Sequence, residues 1–200
     1  MDDLLDPGLG PARAQKIALR DQLTTQRRRI PLPDLREHAE SIARHVMASD
    51  LVGRSATVAA YVSVGTEPGT GPLLEALAAA GKQVILPVVL PDLDLDWAVH
   101  TGALEGRRGL LEPDGPTLGV GAIATADLVL TPGLAVDPRG MRMGKGGGCY
   151  DRALARVPVG TPVCVVLFDH ERIERVPTEP HDRPVNAVVT PSGWSRLVSA

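Results

Sequence analysis

Aromatic residues are scarce: two Trp, two Tyr and one Phe in 200 residues. The core must therefore be aliphatic, because apolar residues still make up 44% of the chain. Cysteine is nearly absent too. Cys149 and Cys164 are too few for a disulfide scaffold, and neither lies in a Cys-x-x-Cys or Cys/His ligand spacing. A reducing, cytoplasmic setting is the expectation. The N-terminus, Met1-Asp2-Asp3-Leu4-Leu5-Asp6, lacks the basic start and apolar run of a signal peptide. No uncharged apolar stretch approaches the roughly 18–20 residues that span a bilayer. A net charge of −3 offers no cationic excess for nucleic acid, so neither a membrane nor a nucleic acid is an expected partner. The apolar content excludes disorder, and the 21 glycines, having no three-residue period, exclude a collagen-like chain.

What the chain does have is short aliphatic runs punctuated by glycine and by 18 prolines. Pro11 suits a first helical position, and the stretch from Ala12 to about Arg29 predicts a helix. Its Lys16 and Arg20 are spaced i, i+4 and so share a face. Arg27-Arg28-Arg29 reads as a solvated helix end, where positive charge suits the macrodipole. Leu35, Ala39, Ile42 and Val46 predict a second helix starting just after Pro33-Asp34. Thr70 is the expected cap of a helix over 71–80, stopped by Gly81. Strands are expected at 56–62, 83–90, 94–100, 127–131, 162–168 and 186–190, with Pro87 marking a strand end or bulge. Nearly continuous β-branched runs alternating with helices imply a parallel sheet covered on both faces. The expected fold is α/β: a single three-layer α/β/α domain over 1–200 around a mostly parallel sheet.

The strongest local feature is Gly140-Met-Arg142-Met143-Gly144-Lys145-Gly146-Gly147-Gly148-Cys149-Tyr150-Asp151-Arg152, with five glycines in nine residues. It follows a strand and turn and leads into a helical stretch at 150–157. Such a loop can turn its N–H groups inward on an anion, with Arg142, Lys145 and a helix N-terminus adding positive potential. Phosphate is the expected anion. The loop is not a Walker A sequence, because only three residues separate Gly140 from Gly144 and Gly146 follows the lysine. Nor is it a dinucleotide fingerprint, because Cys149 stands where the third glycine belongs.

This run, preceded by PGLAVDPRG, resembles the signature of the 5-formyltetrahydrofolate cyclo-ligase family (5,10-methenyltetrahydrofolate synthetases), which typically reads G-x-R-L-G-x-G-x-G-Y-Y-D-R. Four further stretches resemble that family in order: Lys16…Arg20, Tyr61-Val62-Ser63…Glu67, Leu111-Glu112-Pro113, and Phe168-Asp169…His181-Asp182 followed by Val188-Val189-Thr190. The resemblance runs from about residue 14 to 191. It implies ATP-dependent closure of a small-molecule substrate, 5-formyltetrahydrofolate, to 5,10-methenyltetrahydrofolate with release of ADP and phosphate, and Mg²⁺ as cofactor. Phosphorylation of the formyl oxygen would turn a poor leaving group into a good one.

By the same resemblance, Lys16, Arg20 and the stretch Arg142, Met143, Gly144, Lys145, Gly146, Gly147, Gly148, Cys149 and Tyr150 bind ATP. Lys145 and Tyr150 carry catalysis. Val62, Glu67 and Tyr150 bind the folate, Glu67 by accepting paired pterin-type N–H groups. Asp151 and Asp182 ligate the metal. Trp97 is either a core ring or a face for the substrate. Cys149 departs from the family's Tyr-Tyr pair, and Lys145 stands where Arg is frequent, keeping charge but losing the fork geometry. Two other readings remain open: an ATP-using enzyme with a changed substrate pocket, and a nucleotide- or folate-binding protein without turnover, for which Cys149 is the one hint. Oligomeric state is not legible, a monomer being the working expectation.

Overall fold

The computed structural model describes residues 11–197 except position 108. It opens with three helices, α1 (Pro11–Arg27), α2 (Leu32–Met47) and the short α3 (Asp50–Arg54). There follow β1 (Thr57–Ala59), α4 (Gly71–Ala79), β2 (Gln83–Val89) and β3 (Leu95–Val99). A hairpin of β4 (Leu104–Arg107) and β5 (Leu110–Pro113) comes next. β6 (Leu128–Pro132) then precedes a second, smaller hairpin of β7 (Ala135–Val136) and β8 (Arg142–Met143). The chain continues through α5 (Cys149–Leu154), β9 (Val163–Val166), β10 (Ala187–Thr190) and β11 (Gly193–Arg196).

Seven strands form one sheet in the order β11-β10-β9-β6-β1-β2-β3. The five inner strands are parallel, and β3 and β11 add antiparallel edges. Residue alternation explains the two buried faces. Val58, Val84, Leu86, Leu128, Leu130, Cys164, Val166 and Val189 face α2 and α4, meeting Ile42, Val46, Leu73 and Leu77. Their neighbours Ala59, Ile85, Val129, Val163, Val165 and Val188 face the opposite way, toward Ala153 and Leu154 of α5, Ile123 and Trp97. Both faces of each inner strand therefore leave water, which is why those strands read as unbroken aliphatic runs. The expected mostly parallel sheet with helices on both sides is the one observed.

Boundaries shift for local reasons. α2 starts at Leu32, not after Asp34: Pro31 takes the cap position at φ −61°, ψ 146°, and Pro33 lies in the first turn, where no N–H is required. Thr70 does not cap α4 with its side chain. Its hydroxyl donates to the Tyr61 carbonyl at 2.8 Å and accepts the Ser63 N–H at 2.9 Å, binding the loop after β1 to the start of α4. β1 itself is only three residues long, and α5 ends at Leu154. Pro87 pairs with Trp97 beyond the last register pair between β1 and β2, so its missing N–H costs no ladder bond to β1. Trp97 is fully buried in the core, which removes it as a substrate face. Cys164 is buried packing, and burial raises its thiol pKa.

The arginine triplet departs most from expectation. Arg27 is not solvated: it is 1% exposed and its Nε donates to Glu171 at 2.6 Å, with Glu171 at 0%. Arg27 Nη2 also donates to Glu171 at 2.8 Å and to the Gly133 carbonyl at 2.6 Å. Glu171 in turn accepts the Phe168 N–H at 2.9 Å. This buried cluster joins the end of α1 to the chain leaving β6 and β9. Removing one partner strands the other's charge inside. Arg27→Met is expected to destabilise the fold by about 3–5 kcal/mol in urea denaturation, and Arg27→Met with Glu171→Leu to be more stable than Arg27→Met alone.

Candidate active site

The crossovers place the site. From β1 the chain moves through α4 to β2 on one side, whereas β6, β9 and β10 build outward on the other. Loops leaving the carboxyl ends of β1 and β6 therefore part from each other, and a crevice opens between them. A cavity of about 730 Å³ occupies it, lined by Tyr61 and Val62 after β1 and by Pro132 and Gly133 at the end of β6. Lys16, Arg20, Val62, Glu67, Arg142, Met143, Gly144, Lys145, Gly146, Gly147, Gly148, Cys149, Tyr150, Asp151 and Asp182 all line this one cavity.

The glycine loop crosses from β8 to α5. Upstream, Asp137 supports the β7–β8 hairpin. Burial alone would raise its pKa, but bonds from Arg139 and from the Val176 and Met141 N–H groups hold it below the usual carboxylate value. Gly146 has φ +105°, and an added Cβ would lie 3.4 Å from the Arg20 guanidinium carbon, so both backbone and space there favour glycine. Arg20 Nε donates to the Gly144 carbonyl at 2.9 Å, tying α1 to the loop.

Three of the site cations have a counter-charge, whereas Arg20 meets only the Gly144 carbonyl among the described residues. Arg142, with its side chain 2% exposed, donates to Asp151 at 2.9 Å. Lys145 is mostly exposed and reaches the buried Glu67 carboxylate at 2.7 Å. Glu67 also accepts the Val64 N–H at 2.8 Å, which fixes it within its loop. Lys16 is 3% exposed and lies 2.6 Å from Asp182 and 2.8 Å from Glu179.

The residues expected to ligate metal divide. Asp182 belongs to a group with Glu179 and His181 whose ligand atoms all lie within 4.8 Å of one another. Asp151 is outside that group, held by Arg142 and by the Arg183 N–H at 3.2 Å. Glu179 escaped sequence reasoning: nothing in Thr178-Glu179-Pro180 marks it, and its partner Lys16 is 163 residues away. Its carboxyl pKa is lowered, chiefly by the bond from Lys16. In the sequence Glu112 stands out only as part of a Glu-Pro dipeptide. It is buried, lines the cavity and accepts the Val89 N–H at 2.9 Å.

The other end of the cavity is apolar, with Pro87, Val89, Leu95, Leu110 and Leu111 forming its wall. Two phenols complete the interior. The hydroxyls of Tyr61 and Tyr150 are buried without a hydrogen-bond partner among the described residues. Burial, then the nearby Glu67 carboxylate, raises both phenol pKa values, so each hydroxyl stays a proton donor. A buried donor without an acceptor is costly in a packed core and useful in a ligand site.

Fold and cleft define the class: an α/β enzyme with its site at the carboxyl edge of a parallel sheet, cationic at one end and apolar at the other. The sequence model of the 5-formyltetrahydrofolate cyclo-ligase family matches residues 12–191, and the chain belongs to that family. It is similar to the 5-formyltetrahydrofolate cyclo-ligase of Mycolicibacterium smegmatis, 39% identical over 88% of this chain and 93% of the relative. The Escherichia coli enzyme of that name is 35% identical over 84% of this chain and 96% of its own. Among solved structures, the 5,10-methenyltetrahydrofolate synthetase of Aquifex aeolicus superposes with a TM-score of 0.78 at 27% identity, covering 91% of this chain and 92% of the other.

The chain's two tyrosines make the buried phenols directly observable. The native protein is expected to show almost no phenolate absorbance near 295 nm at pH 10, where the unfolded chain is about half ionised. Because both pKa values rise on folding, this stabilisation is complete below pH 10 and declines above it. Denaturant midpoints across pH 8–11 check the sign.

Proposed function

We propose that this chain catalyses ATP-dependent cyclisation of 5-formyltetrahydrofolate to 5,10-methenyltetrahydrofolate, releasing ADP and phosphate. The observation that carries the reading is one cleft in which a glycine loop with four nearby cations adjoins an apolar wall and two proton-donating phenols. Such a cleft suits a polyphosphate beside a flat ring whose faces pack on apolar side chains and whose edge hydrogen-bonds. Family membership supports the same chemistry.

In this reading the phosphates lie on the loop N–H groups of Gly144–Gly148, and Lys16, Arg20, Arg142 and Lys145 neutralise them. Lys145 leaves Glu67 for the γ-phosphate, and Glu67 is then free to accept N–H groups of the folate beside Val62. The formyl oxygen attacks the γ-phosphorus and the bond to ADP breaks. N10 of the folate then attacks the formyl carbon, loses its proton and expels phosphate. Tyr150 donates its hydroxyl hydrogen bond to oxygen as charge develops there. Phosphoryl transfer needs positioning and neutralisation more than covalent help, and the site residues are of that kind.

The carboxylate oxygens of Asp182 and Glu179, with Asp151 near the loop exit, are donors of the type Mg²⁺ prefers, although His181 is not. When bound, Mg²⁺ would supply further neutralisation of the polyphosphate. Lys16 holds Asp182 and Glu179 together until then. The substrate is a small molecule. No described helix is long and apolar enough to cross a membrane. A reducing, cytoplasmic setting belongs to the same proposal and is supported by two unpaired thiols.

Mixing protein, 5-formyltetrahydrofolate and Mg-ATP should give methenyl-folate absorbance that vanishes when ATP is omitted. Folded protein without that gain would overturn the proposal. Folate binding without turnover would favour the binding protein, and ATP hydrolysis with another substrate would favour the changed pocket. Lys145→Ala and Arg20→Ala should each raise KM for ATP roughly tenfold or more, as expected for a lost charged hydrogen bond, with a smaller change for folate. Glu67→Gln should show the reverse ranking.

A further inference from the structure

Five carboxylates line the cavity: Glu67, Glu112, Asp151, Glu179 and Asp182. Four of them meet a cation: Lys145 at Glu67, Arg142 at Asp151, and Lys16 at both Glu179 and Asp182. Glu112 is different. It is 5% exposed and no cation among the described residues lies within ion-pairing distance. Its one bond in the structure is from the Val89 N–H to Oε1, at 2.9 Å. That bond satisfies a backbone donor at the end of β2 and leaves Oε2 without a partner among the described residues.

The surroundings of Glu112 are apolar. Pro87, Val89, Leu95, Leu110 and Leu111 share its wall, so this end of the cavity suits a flat ring and not a phosphate. Glu112 Oε2 remains accessible from the cavity, and a ring that takes the place of water there must supply the hydrogen bond itself. A ring edge carrying neighbouring N–H groups supplies donors in the right plane, since a carboxylate accepts such a pair side by side. Tyr61, also lining the cavity, offers a buried hydroxyl without a partner among the described residues.

We propose that Glu112 is a specificity-determining residue: it reads the amino-bearing N–H edge of the substrate's pteridine ring. This rests on the cyclo-ligase reading above. The pterin N–H contact expected at Glu67 is thereby shared: Glu67, fixed next to Lys145, contacts the folate where it borders the phosphate loop, and Glu112 reads the far, amino-bearing edge. The anchoring of β5 to β2 through Val89 aims Glu112 and sets the depth to which the ring enters.

Glu112→Gln retains an acceptor for Val89 and so keeps the anchor, but loses the second carboxylate oxygen. It is expected to raise KM for 5-formyltetrahydrofolate by about tenfold or more while KM for ATP stays within about twofold. The second measurement uses a substrate analogue whose ring amino group is replaced by methyl. The wild type should bind it at least about tenfold more weakly than the parent, and Glu112→Gln should discriminate little between the two. Wild-type turnover with an unchanged folate KM in Glu112→Gln would overturn the assignment alone. So would a wild type that binds analogue and parent equally, a readout independent of the variant's folding. Absence of ATP-dependent product with the wild type would overturn the cyclo-ligase reading and this assignment together.

Discussion

The hydrogen bonds from Arg27 to Glu171 and to the Gly133 carbonyl hold the first helix against the sheet's carboxyl edge. The cleft depends on that attachment. α1 contributes Lys16 and Arg20 to one wall, while Gly133 and the glycine loop belong to the other. Helix propensity alone cannot keep such a helix at a fixed distance from a loop more than a hundred residues away. Here a guanidinium fork accepted by a carboxylate and a carbonyl supplies the geometry, and apolar contacts of Leu23 with Leu134, Ala135 and Met143 add to it.

The same logic of paired charge recurs inside the cleft. Lys16 faces two carboxylates, Arg142 faces Asp151, and Lys145 faces Glu67. A concentrated set of free cations would repel itself and weaken the fold, so three of the four are compensated by carboxylates and Arg20 by a backbone carbonyl. In the proposed reaction, binding a polyphosphate would exchange partners without creating charge anew. That exchange is also a link between substrates, because the group released by Lys145 is the carboxylate assigned to the folate. The apolar wall has no part in this exchange, and its carboxylate, Glu112, is satisfied only in part by the protein.

Much of the architecture was legible along the chain. The inner strands are aliphatic on both faces, so each one announced a sheet covered on two sides. The glycine loop was legible for a related reason: its chemistry needs contiguous residues, and five glycines with Arg142 and Lys145 fall within one short stretch. The members of the site that depend on partners from elsewhere were not. Glu179 looks like any acid in a polar turn until Lys16 is placed 2.8 Å from it. Arg27 reads as a solvated helix end because its immediate neighbours, Arg28 and Arg29, obey that rule. Thr70 resembles a helix cap until the Tyr61 carbonyl claims its hydroxyl.

The scarcity of aromatics shows where sequence stops and structure begins. Composition by itself determined an aliphatic core and left five rings to account for, and residue order determined the parallel α/β plan and the glycine loop. Only tertiary structure could distribute those rings: Trp97 to the core, Tyr61 and Tyr150 to the cavity with their hydroxyls unpartnered. It also decided which charges are solvated and which are buried pairs. The reason is physical. Periodicity and glycine content act over a few residues, and a sequence displays them directly. Burial and ion pairing depend on distances between segments, which exist only once the chain has folded.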